Sequence, residues 1–329
     1  MPHCDVVRDS RFASAIYFCL KQRVFHNAER DDFMKKNTIF TGAATAIVTP
    51  LTKDGIDYVA FKKLIEWQIS QGIDAIVVCG TTGEASTLTD EEHREAIKFA
   101  VDTVAGRIPV IAGTGSNDTD YAVDLTKFSC DAGADAMLVV TPYYNKATQK
   151  GLIKMYEIIA DASTKPLILY NVPSRTGVNI EPSTYLALAD HPMISAIKEA
   201  NGNFSKIAET VALVGDKLDI YSGNDDQVVP ILSLGGKGVI SVLSNLLPAE
   251  TSRMCKLFFE GKVSESAKMQ LDYLPLINSL FSEVNPIPVK AAMAAMGYCA
   301  NFLRLPLTPM EEANYNKLIE NMKNAGIVF

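Results

Sequence analysis

The sequence predicts an α/β fold, a parallel (β/α)8 TIM barrel with a helical appendage at its C-terminus. Short apolar or β-branched runs alternate with longer amphipathic stretches from residue 41 onward, and after about residue 248 the pattern is wholly helical. The length of 329 residues suits one barrel with an added segment. We therefore expect a catalytic barrel over 34–260 and a C-terminal helical segment over 261–329 that packs on it.

The candidate strands are eight short runs rich in β-branched and apolar residues, as is typical of strands buried on both faces. They cover residues 45–49, 75–79, 110–113, 136–140, 167–170, 194–198, 219–222 and 238–241. Segments with helical periodicity lie between them, at 58–71, 90–104, 119–132, 151–160 and 204–213. The second helix follows Thr89 and has Glu92 in its first turn, which is the pattern of a capping box.

An open, doubly wound sheet is the alternative to a closed barrel. A dinucleotide-binding sheet of that kind would carry Gly-x-Gly-x-x-Gly after its first strand. No such motif follows residue 49, so the barrel is favoured.

The first 33 residues differ from the rest of the chain. They contain an apolar stretch at 12–20, but no net positive charge precedes it and no small-residue cleavage site follows, so a secretory signal is not favoured. Asp31 and Asp32 argue against a transit peptide. We expect residues 1–33 to be an N-terminal extension, disordered or artefactual, with Met34 as the natural beginning.

Composition and charge exclude several classes of protein. The formal net charge of -7 argues against nucleic acid or an anionic membrane as a partner, because both attract basic surfaces. No apolar run reaches the roughly 18 residues that a membrane helix needs. The 6 cysteines form no CxxC pair, which indicates reduced thiols. We therefore expect a cytoplasmic protein that acts on small molecules.

Functional side chains follow several predicted strands, at the end of the barrel where active sites of this fold lie. Lys198 closes an apolar strand, so it is either a buried nucleophile or a strand-end lysine whose amine reaches water. Tyr170 ends the preceding strand, as a proton donor and acceptor or as a core aromatic. Thr81 and Thr82 stand in a Gly-flanked turn that either binds a carboxylate or is a plain loop.

Other strand-end residues are open to two interpretations, and histidines are scarce. Arg175, in a loop bounded by Pro and Gly, is a functional residue at the strand end or a surface salt-bridge residue. Tyr143 and Tyr144 follow the fourth strand and are functional or only packed. Outside the extension only His93 and His191 occur, so a His-rich metal centre or a Ser-His-Asp triad is hard to build. No metal site is expected.

Five motifs, taken in order, closely resemble the dihydrodipicolinate synthase family. They are GTTGE at 80–84, TPYYN at 141–145, YNVPSRTG at 170–177, IKEA at 197–200 and GVISV at 238–242. The resemblance extends from about residue 41 to the C-terminus. Single motifs are shared with related pyruvate lyases, such as N-acetylneuraminate lyase and sugar-acid aldolases. Arg175 favours the synthase family, in which the resemblance makes it the ligand of the second substrate's carboxylate.

The resemblance implies a reaction through a covalent lysine intermediate. Lys198 would form a Schiff base with pyruvate, and burial that lowers the pKa of a lysine from about 10.4 would favour its attack. Tyr170 would shuttle protons in a relay with Thr81 and with Tyr144, which in the family reaches in from a neighbouring subunit. No cofactor is implied apart from the pyruvate held on Lys198.

The resemblance also implies the substrates, the partners and the pathway. Thr81 and Thr82 would bind the pyruvate carboxylate, and the main chain near Gly223 and Ile240 would close the pocket. The second substrate would be L-aspartate 4-semialdehyde, and the product 4-hydroxy-tetrahydrodipicolinate, of lysine and diaminopimelate biosynthesis. Because the site would share Tyr144 between subunits, we expect a homodimer or homotetramer.

Some family members bind lysine as an inhibitor at a dimer interface, and the match to that effector pocket is incomplete. Ser86, His93, Asn117 and Tyr143 match it by position, together with Ala85. Tyr121 stands where inhibited members carry a glutamate that pairs the effector's amine, and Asp90 stands where they carry a histidine. Since the missing glutamate removes a charge-assisted hydrogen bond, which Asp90 would at most partly replace, we expect weak or absent feedback.

Three other functions remain as alternatives. A catalytically inactive barrel used for binding would be expected to lack the nucleophile or its relay, yet both are present. A metal-dependent aldolase would need ligands that the two histidines, which lie away from the strand ends, do not supply. A lyase that acts on a sugar acid is the nearest rival, and Arg175 argues against it.

Overall fold

The computed structural model describes residues 36–329 and shows a closed barrel of eight parallel strands. In chain order the strands of the barrel and of a small hairpin are β1 Gly42–Ala46, β2 Leu51–Thr52, β3 Gly55–Ile56, β4 Ala75–Val78, β5 Val110–Gly113, β6 Ala136–Val140, β7 Leu167–Asn171, β8 Ile194–Glu199, β9 Asp219–Ser222 and β10 Gly238–Ser241. Neighbours around the barrel run β1-β10-β9-β8-β7-β6-β5-β4, and β2 pairs with β3 outside it. The predicted barrel is confirmed.

Helices follow the strands along the chain. They are α1 Tyr58–Ser70, α2 Asp90–Val104, α3 Thr119–Asp131, α4 Gln149–Asp161, α5 Pro173–Thr176, α6 Pro182–Leu188, α7 Phe204–Val214, α8 Val228–Ser233, α9 Pro248–Phe259, α10 Val263–Leu280, α11 Ile287–Ala295 and α12 Glu312–Asn324. Thr89 and Glu92 form the predicted capping box of α2. The all-helical pattern after residue 248 is also confirmed.

The predicted bounds of the first strand were wrong. The prediction covered 45–49, whereas β1 runs from Gly42 to Ala46. Gly42 pairs with Gly238 of β10, and a Cβ on Gly238 would lie 1.8 Å from the Gly42 oxygen. The strand starts at this close contact between two backbones, and its small residues carry little strand signal.

Strand β4 ends at Val78, one residue before the end predicted for the run 75–79. Cys79 has a φ of +54°, in the left-handed region, so the chain leaves the extended conformation after Val78. The prediction also lacked the hairpin of β2 and β3 and the short helices α5, α6 and α8. These elements are 2–7 residues long, too short for a periodic pattern to be distinct.

Two apolar layers surround the strands. Residues that point into the barrel, such as Ile111, Ile168 and Tyr170, form an inner cluster. Residues that point outward, such as Ile76 and Ile197, pack under the helices in a larger outer cluster. Because strand residues alternate between the two faces, Lys198 and Glu199 of β8 point to opposite sides.

The C-terminal helices α9–α12 belong to the same compact unit as the barrel, which spans Thr38–Phe329. The predicted division of the chain at residue 260 therefore stays a prediction. The predicted N-terminal extension, 1–33, lies outside the described residues. Within residues 36–329, no helix combines the length and apolar character that crossing a bilayer requires.

Candidate active site

A lysine and a tyrosine face each other where β7 and β8 end. Tyr170 and Lys198 are partners in the strand register, so their side chains project to the same side. The Lys198 Nζ lies 4.3 Å from the centroid of the Tyr170 ring. Both residues are 6% exposed. The amine is therefore held in a nearly closed interior, over the face of a phenol.

Gly223 leaves room for the aliphatic stem of Lys198. A Cβ at this position would lie 3.2 Å from the Lys198 Cε and 2.7 Å from the Ala200 Cβ. Both distances are shorter than ordinary contacts, so any other residue would displace the lysine or the end of β8. The predicted main-chain position at Gly223 is thus beside the lysine.

Asp225 fixes the chain that follows β10. Its carboxylate accepts hydrogen bonds from Ser241 Oγ at 2.5 Å and from the N–H groups of Val242 and Leu243 at 3.0 Å each. Burial raises the pKa of Asp225, while these donors and nearby Lys198 oppose the rise. Ile240, just before this loop, is fully buried inside the barrel.

The Gly-flanked turn after β4 lies between two residues in left-handed conformation, Cys79 and Glu84, with φ of +54° and +56°. Thr81 borders the cavity described below. Thr82 is buried, and its Oγ1 accepts a hydrogen bond of 3.0 Å from Asn285 Nδ2. Non-glycine residues in this backbone region indicate strain that the surroundings must hold in place.

A buried ion pair joins this turn to the C-terminal helices. The Lys290 ammonium, on α11, donates to the Glu84 carboxylate, and both side chains are fully buried. The N–H of Arg304 donates to the same carboxylate at 3.3 Å. The side chain of Arg304 makes a two-pronged contact with Glu92 at the start of α2.

Arg175 lies on the short helix α5, just after β7. Its Nη2 donates to the main-chain oxygen of Asn285 at 3.0 Å. The guanidinium borders the same cavity as Thr81 and Tyr170, so it is available to an anion there.

One cavity of about 420 Å³ brings half of the predicted site residues together. Those that line it are Thr81, Tyr170, Arg175, Ser86, His93 and Tyr143, with Ala85 and Tyr121 beside them. Lys198, Thr82, Gly223 and Ile240 do not line it, and Lys198 reaches the site through its contact with Tyr170. Thr81 and Tyr170 thus border the same space as three of the four effector-pocket candidates, whereas Asn117 does not line it.

Tyr144 lies apart from this cavity. It is 93% exposed and has a φ of +72°. Asn117 donates from its Nδ2 to the oxygen of Tyr143 at 3.1 Å and accepts from Asn145 Nδ2 at 2.8 Å, which ties the loop to the end of β5. The described chain alone therefore leaves one of the predicted catalytic residues in solvent.

The two residues that depart from the effector pattern contact each other. Arg94 pairs with Asp90 at 2.8 Å, and Asp90 lies close enough to Tyr121 to influence the pKa of its hydroxyl. Burial and Asp90 together raise the pKa of Tyr121 to about 12. His93 is buried with its Nε2 2.9 Å from the Gly113 oxygen, and burial lowers its pKa. The Asp90 carboxylate is thus already paired with Arg94 and is less available to the amine of an effector.

The sequence interpretation missed Asn285, which contacts both Thr82 and Arg175, and Glu199 on the outer side of β8. The sequence did contain a signal for the ion pair between Lys290 and Glu84, because Lys290 is the only charged residue in the apolar stretch of α11. Nothing in the sequence indicated its partner. Among residues 36–329, no group of three or more His, Cys, Asp or Glu side chains is placed to bind a metal ion.

The closed barrel, with Tyr170 and the buried Lys198 at the carboxyl ends of adjacent strands, defines the chain as a (β/α)8 barrel enzyme. The model of the dihydrodipicolinate synthetase family matches residues 39–325, and the chain belongs to that family.

Similar proteins are named as synthases of 4-hydroxy-tetrahydrodipicolinate or of dihydrodipicolinate. The chain is 53% identical over 290 residues to a 4-hydroxy-tetrahydrodipicolinate synthase of Clostridium perfringens, covering 88% of this chain and 100% of that one. It is 54% identical over 291 residues to 4-hydroxy-tetrahydrodipicolinate synthase 1 of Clostridium acetobutylicum, covering 88% and 99%. A crystal structure of a chloride-inhibited dihydrodipicolinate synthase from Acinetobacter baumannii, complexed with pyruvate, is 45% identical with a TM-score of 0.86, covering 88% and 100%.

Proposed function

We propose that the chain is a 4-hydroxy-tetrahydrodipicolinate synthase, which condenses pyruvate with L-aspartate 4-semialdehyde through a Schiff base on Lys198. The observation that carries the proposal is the buried lysine amine 4.3 Å from the centroid of the Tyr170 ring, at the carboxyl ends of adjacent strands. A buried amine beside a phenol has both the nucleophile and the proton carrier that imine formation requires.

The lysine makes the methyl group of pyruvate acidic. The Lys198 amine attacks the ketone carbon to give a carbinolamine, which loses water to form an iminium ion. The iminium accepts the electron pair released when a methyl proton leaves, so an enamine forms at neutral pH. Without this electron sink the methyl group would not ionise.

Tyr170 carries protons in these steps. Its phenol donates a proton to the departing hydroxyl of the carbinolamine and takes protons back later. His93, which also lines the cavity, lies on α2 with its Nε2 against the Gly113 oxygen. Thr81 lines the same cavity and links Tyr170 to Tyr144 of a neighbouring subunit. The 93% exposure of Tyr144 supports a role across an interface.

The two carboxylates bind at different places. Thr81 and Thr82 bind that of pyruvate with their hydroxyls and the N–H groups of the turn, and the main chain at Gly223 and Ile240 closes this side. Arg175 binds the carboxylate of aspartate 4-semialdehyde from across the cavity.

The remaining steps join the two substrates and release the enzyme. The enamine carbon attacks the aldehyde carbon and forms the new C–C bond. The substrate amine then attacks the iminium carbon, closes the ring and displaces the Lys198 amine. The balance is pyruvate plus aspartate 4-semialdehyde giving 4-hydroxy-tetrahydrodipicolinate and one water, with no redox change and no cofactor, as lysine and diaminopimelate biosynthesis requires.

The proposed working form is a cytoplasmic homodimer or homotetramer. A monomer would lack Tyr144 at its own cavity, which is why an oligomer is required. Full activity in a species that sediments as a monomer would contradict this.

An initial-rate assay tests the function directly. Pyruvate and aspartate 4-semialdehyde are supplied to the full chain, and product is followed through the NADPH-dependent reductase that consumes it. We expect turnover by the wild type, none by Lys198→Ala, and wild-type rates for Lys127→Ala, which removes an exposed lysine on α3. Borohydride with pyruvate should label the wild type and not Lys198→Ala.

Turnover and labelling that both vanish with Lys198 establish the substrates and the nucleophile. Labelling of a wild type that does not turn over this substrate pair would keep the Schiff-base chemistry and point to a sugar-acid aldolase. Turnover by Lys198→Ala would overturn the proposed mechanism.

A further inference from the structure

The segment 285–290, between helices α10 and α11 and into the start of α11, contacts the Gly-flanked turn 80–84 at two points. We infer that this segment is a positioning part of the active site, in which Asn285 and Lys290 set the geometry of the turn that binds the pyruvate carboxylate. The inference rests on the proposed function, because Thr81 and Thr82 are carboxylate ligands only in that reaction.

Asn285 lies between the proposed ligands of the two substrates. Its Nδ2 donates to Thr82 Oγ1 at 3.0 Å, and its main-chain oxygen accepts from Arg175 Nη2 at 3.0 Å. Its Oδ1 is buried and has no hydrogen-bond partner in the described part of the chain, so the contact with Thr82 orients the amide. One residue therefore relates the two carboxylate sites to each other.

The direction of the hydrogen bond matters for an anion. A hydroxyl has one proton to donate and two lone pairs. Because Asn285 donates to the Thr82 oxygen, the hydroxyl proton of Thr82 is left for a carboxylate ligand. An aspartate at 285 would accept that proton instead and would add a negative charge next to the bound anion.

Lys290 holds the same turn two residues further on. Glu84 has a left-handed backbone, with φ of +56°, which a non-glycine residue keeps only when its surroundings enforce it. The fully buried pair with Lys290, together with the Arg304 N–H, is what enforces it here. The conformation at Glu84 in turn sets where Thr82 and Thr81 point.

Asn285 and Lys290 do not line the cavity, so both act through Thr82 and Glu84. A positioning role makes a different prediction from a role in folding alone. It should appear in the KM for pyruvate and in imine formation, in protein that is folded.

Asn285→Asp, Asn285→Ala and the control Asn321→Asp test the first contact. Asn321 is 7% exposed against 6% for Asn285, lies on α12, and donates from its side chain to Ser279 Oγ and to the Pro275 oxygen. The KM values for both substrates, kcat and the pyruvate dependence of borohydride labelling are measured on the full chain, with thermal unfolding as the check on folding.

We expect Asn285→Asp to raise the KM for pyruvate by about tenfold or more, the loss typical of a hydrogen bond to a charged group. Asn285→Ala, which leaves the Thr82 proton free, should raise it by less, about threefold. Asn321→Asp should leave the KM for pyruvate unchanged. A KM within about twofold of wild type in a folded Asn285→Asp protein would overturn the role of Asn285 and leave the proposed function intact.

A matched pair of substitutions tests the second contact. Lys290→Met alone leaves a buried carboxylate without a partner and is expected to unfold the chain, whereas Lys290→Met with Glu84→Gln removes both charges. If the pair positions the turn, the folded double variant has a raised KM for pyruvate. An unchanged KM in that double variant would show that the pair serves stability only. If the wild type itself does not turn over, the proposed function fails instead.

Discussion

Glu199 follows Lys198 in the chain but points to the other face of β8, away from the cavity. Its carboxylate accepts hydrogen bonds from Asn171 Nδ2 at 3.0 Å, from Tyr185 Oη at 3.1 Å and from the Asn201 N–H at 2.9 Å. Burial raises the pKa of Glu199 to about 7, although these donors oppose the rise. The network joins β7 and β8 directly behind the proposed proton carrier and nucleophile.

Glu199 should make the folded state less stable as pH rises. The folded protein holds this proton up to a pH of about 7, whereas the unfolded chain releases it near the ordinary glutamate pKa of 4.5. The stabilisation is therefore complete below 4.5 and is lost between 4.5 and 7, an effect on the order of 3 kcal/mol. Urea unfolding of wild type and Glu199→Gln across this range measures it, and equal pH slopes in the two proteins would contradict it.

Gly223→Ala should impair catalysis at Lys198. The added methyl would lie 3.2 Å from the Lys198 Cε, so the amine must shift. A displacement of about 1 Å at a reacting group costs roughly 100-fold in rate, so a shift of a part of that distance should lower kcat by about tenfold. Gly151→Ala, whose Cβ would meet only ordinary contacts of 3.5 Å or longer in α4, is the control. Steady-state kinetics and borohydride labelling of both variants decide the point.

Inhibition by lysine should be weak or absent, as Tyr121 removes a counter-charge and Asp90 is already paired with Arg94 and Tyr121. Tyr121→Glu should strengthen inhibition by about tenfold, since it offers a charge-assisted partner for the effector's amine. Tyr121→Phe, which adds no charge, should leave it weak. Half-inhibition of the wild type at micromolar lysine in the coupled assay would refute the prediction.

At the scale of elements, the barrel closes where β1 meets β10. Gly42 and Gly238 are register partners, and their backbones lie too close for a side chain between them. Tyr221, on β9, donates to the oxygen of Phe40 at 2.7 Å and stacks on its ring at 4.2 Å between centroids. The closure thus depends on glycine within the strand and on an aromatic pair inside the barrel.

Gly238→Ala should destabilise the fold strongly. A Cβ would lie 1.8 Å from the Gly42 oxygen, so β1 and β10 would have to separate. We expect a loss of more than about 3 kcal/mol in the free energy of unfolding, as for an overpacked core position. Urea unfolding monitored by circular dichroism measures the loss, and a Gly238→Ala protein as stable as Gly151→Ala would disprove the close contact.

The predictable part of the structure was the part with local patterns. Periodicity located the β-branched strands, and the bounds of α2 and β5 agree with their predictions at both ends. The first strand was misplaced because its residues, GAATA, are small and the pairing with β10 decides where it starts. Local propensity does not contain information about a partner strand almost 200 residues away.

The candidate site was likewise predictable where residues follow strands and unpredictable where it depends on contacts between distant parts of the chain. Lys198, Tyr170 and Arg175 follow strands, so their common location was expected from the fold class. Asn285 was not expected, because its contact with Thr82 spans 203 residues and involves a turn between α10 and α11, outside the barrel. The pairing of Asp90 with Tyr121 was also missed, because the two residues belong to different helices.

At the scale of the whole molecule, the exposure of Tyr144 leads us to predict active sites that are shared between chains. Its φ of +72° turns the loop outward, and its ring is exposed in the described chain. A large exposed aromatic next in sequence to Tyr143, which lines the cavity, is typical of an interface residue.

Mixing two inactive variants tests the shared site. Lys198→Ala and Tyr144→Phe should each lose activity, the second by about 10-fold or more. A mixed dimer has one complete site, formed by Lys198 of one chain and Tyr144 of the other, so random reassociation should restore about a quarter of wild-type activity. Activity of the mixture no higher than the sum of the separate variants would refute sharing. Sedimentation of each sample controls for assembly.

The contact between Asn285 and Thr82 also bears on synthesis of the chain. The ribosome synthesises the Gly-flanked turn long before the segment 285–290, since Asn285 lies 203 positions after Thr82. The nascent chain can form its early βα units, but its Gly-flanked turn lacks the contacts with Asn285 and Lys290 until that segment has been synthesised. On the proposed role of the turn, a product truncated before residue 285 would lack a working pocket.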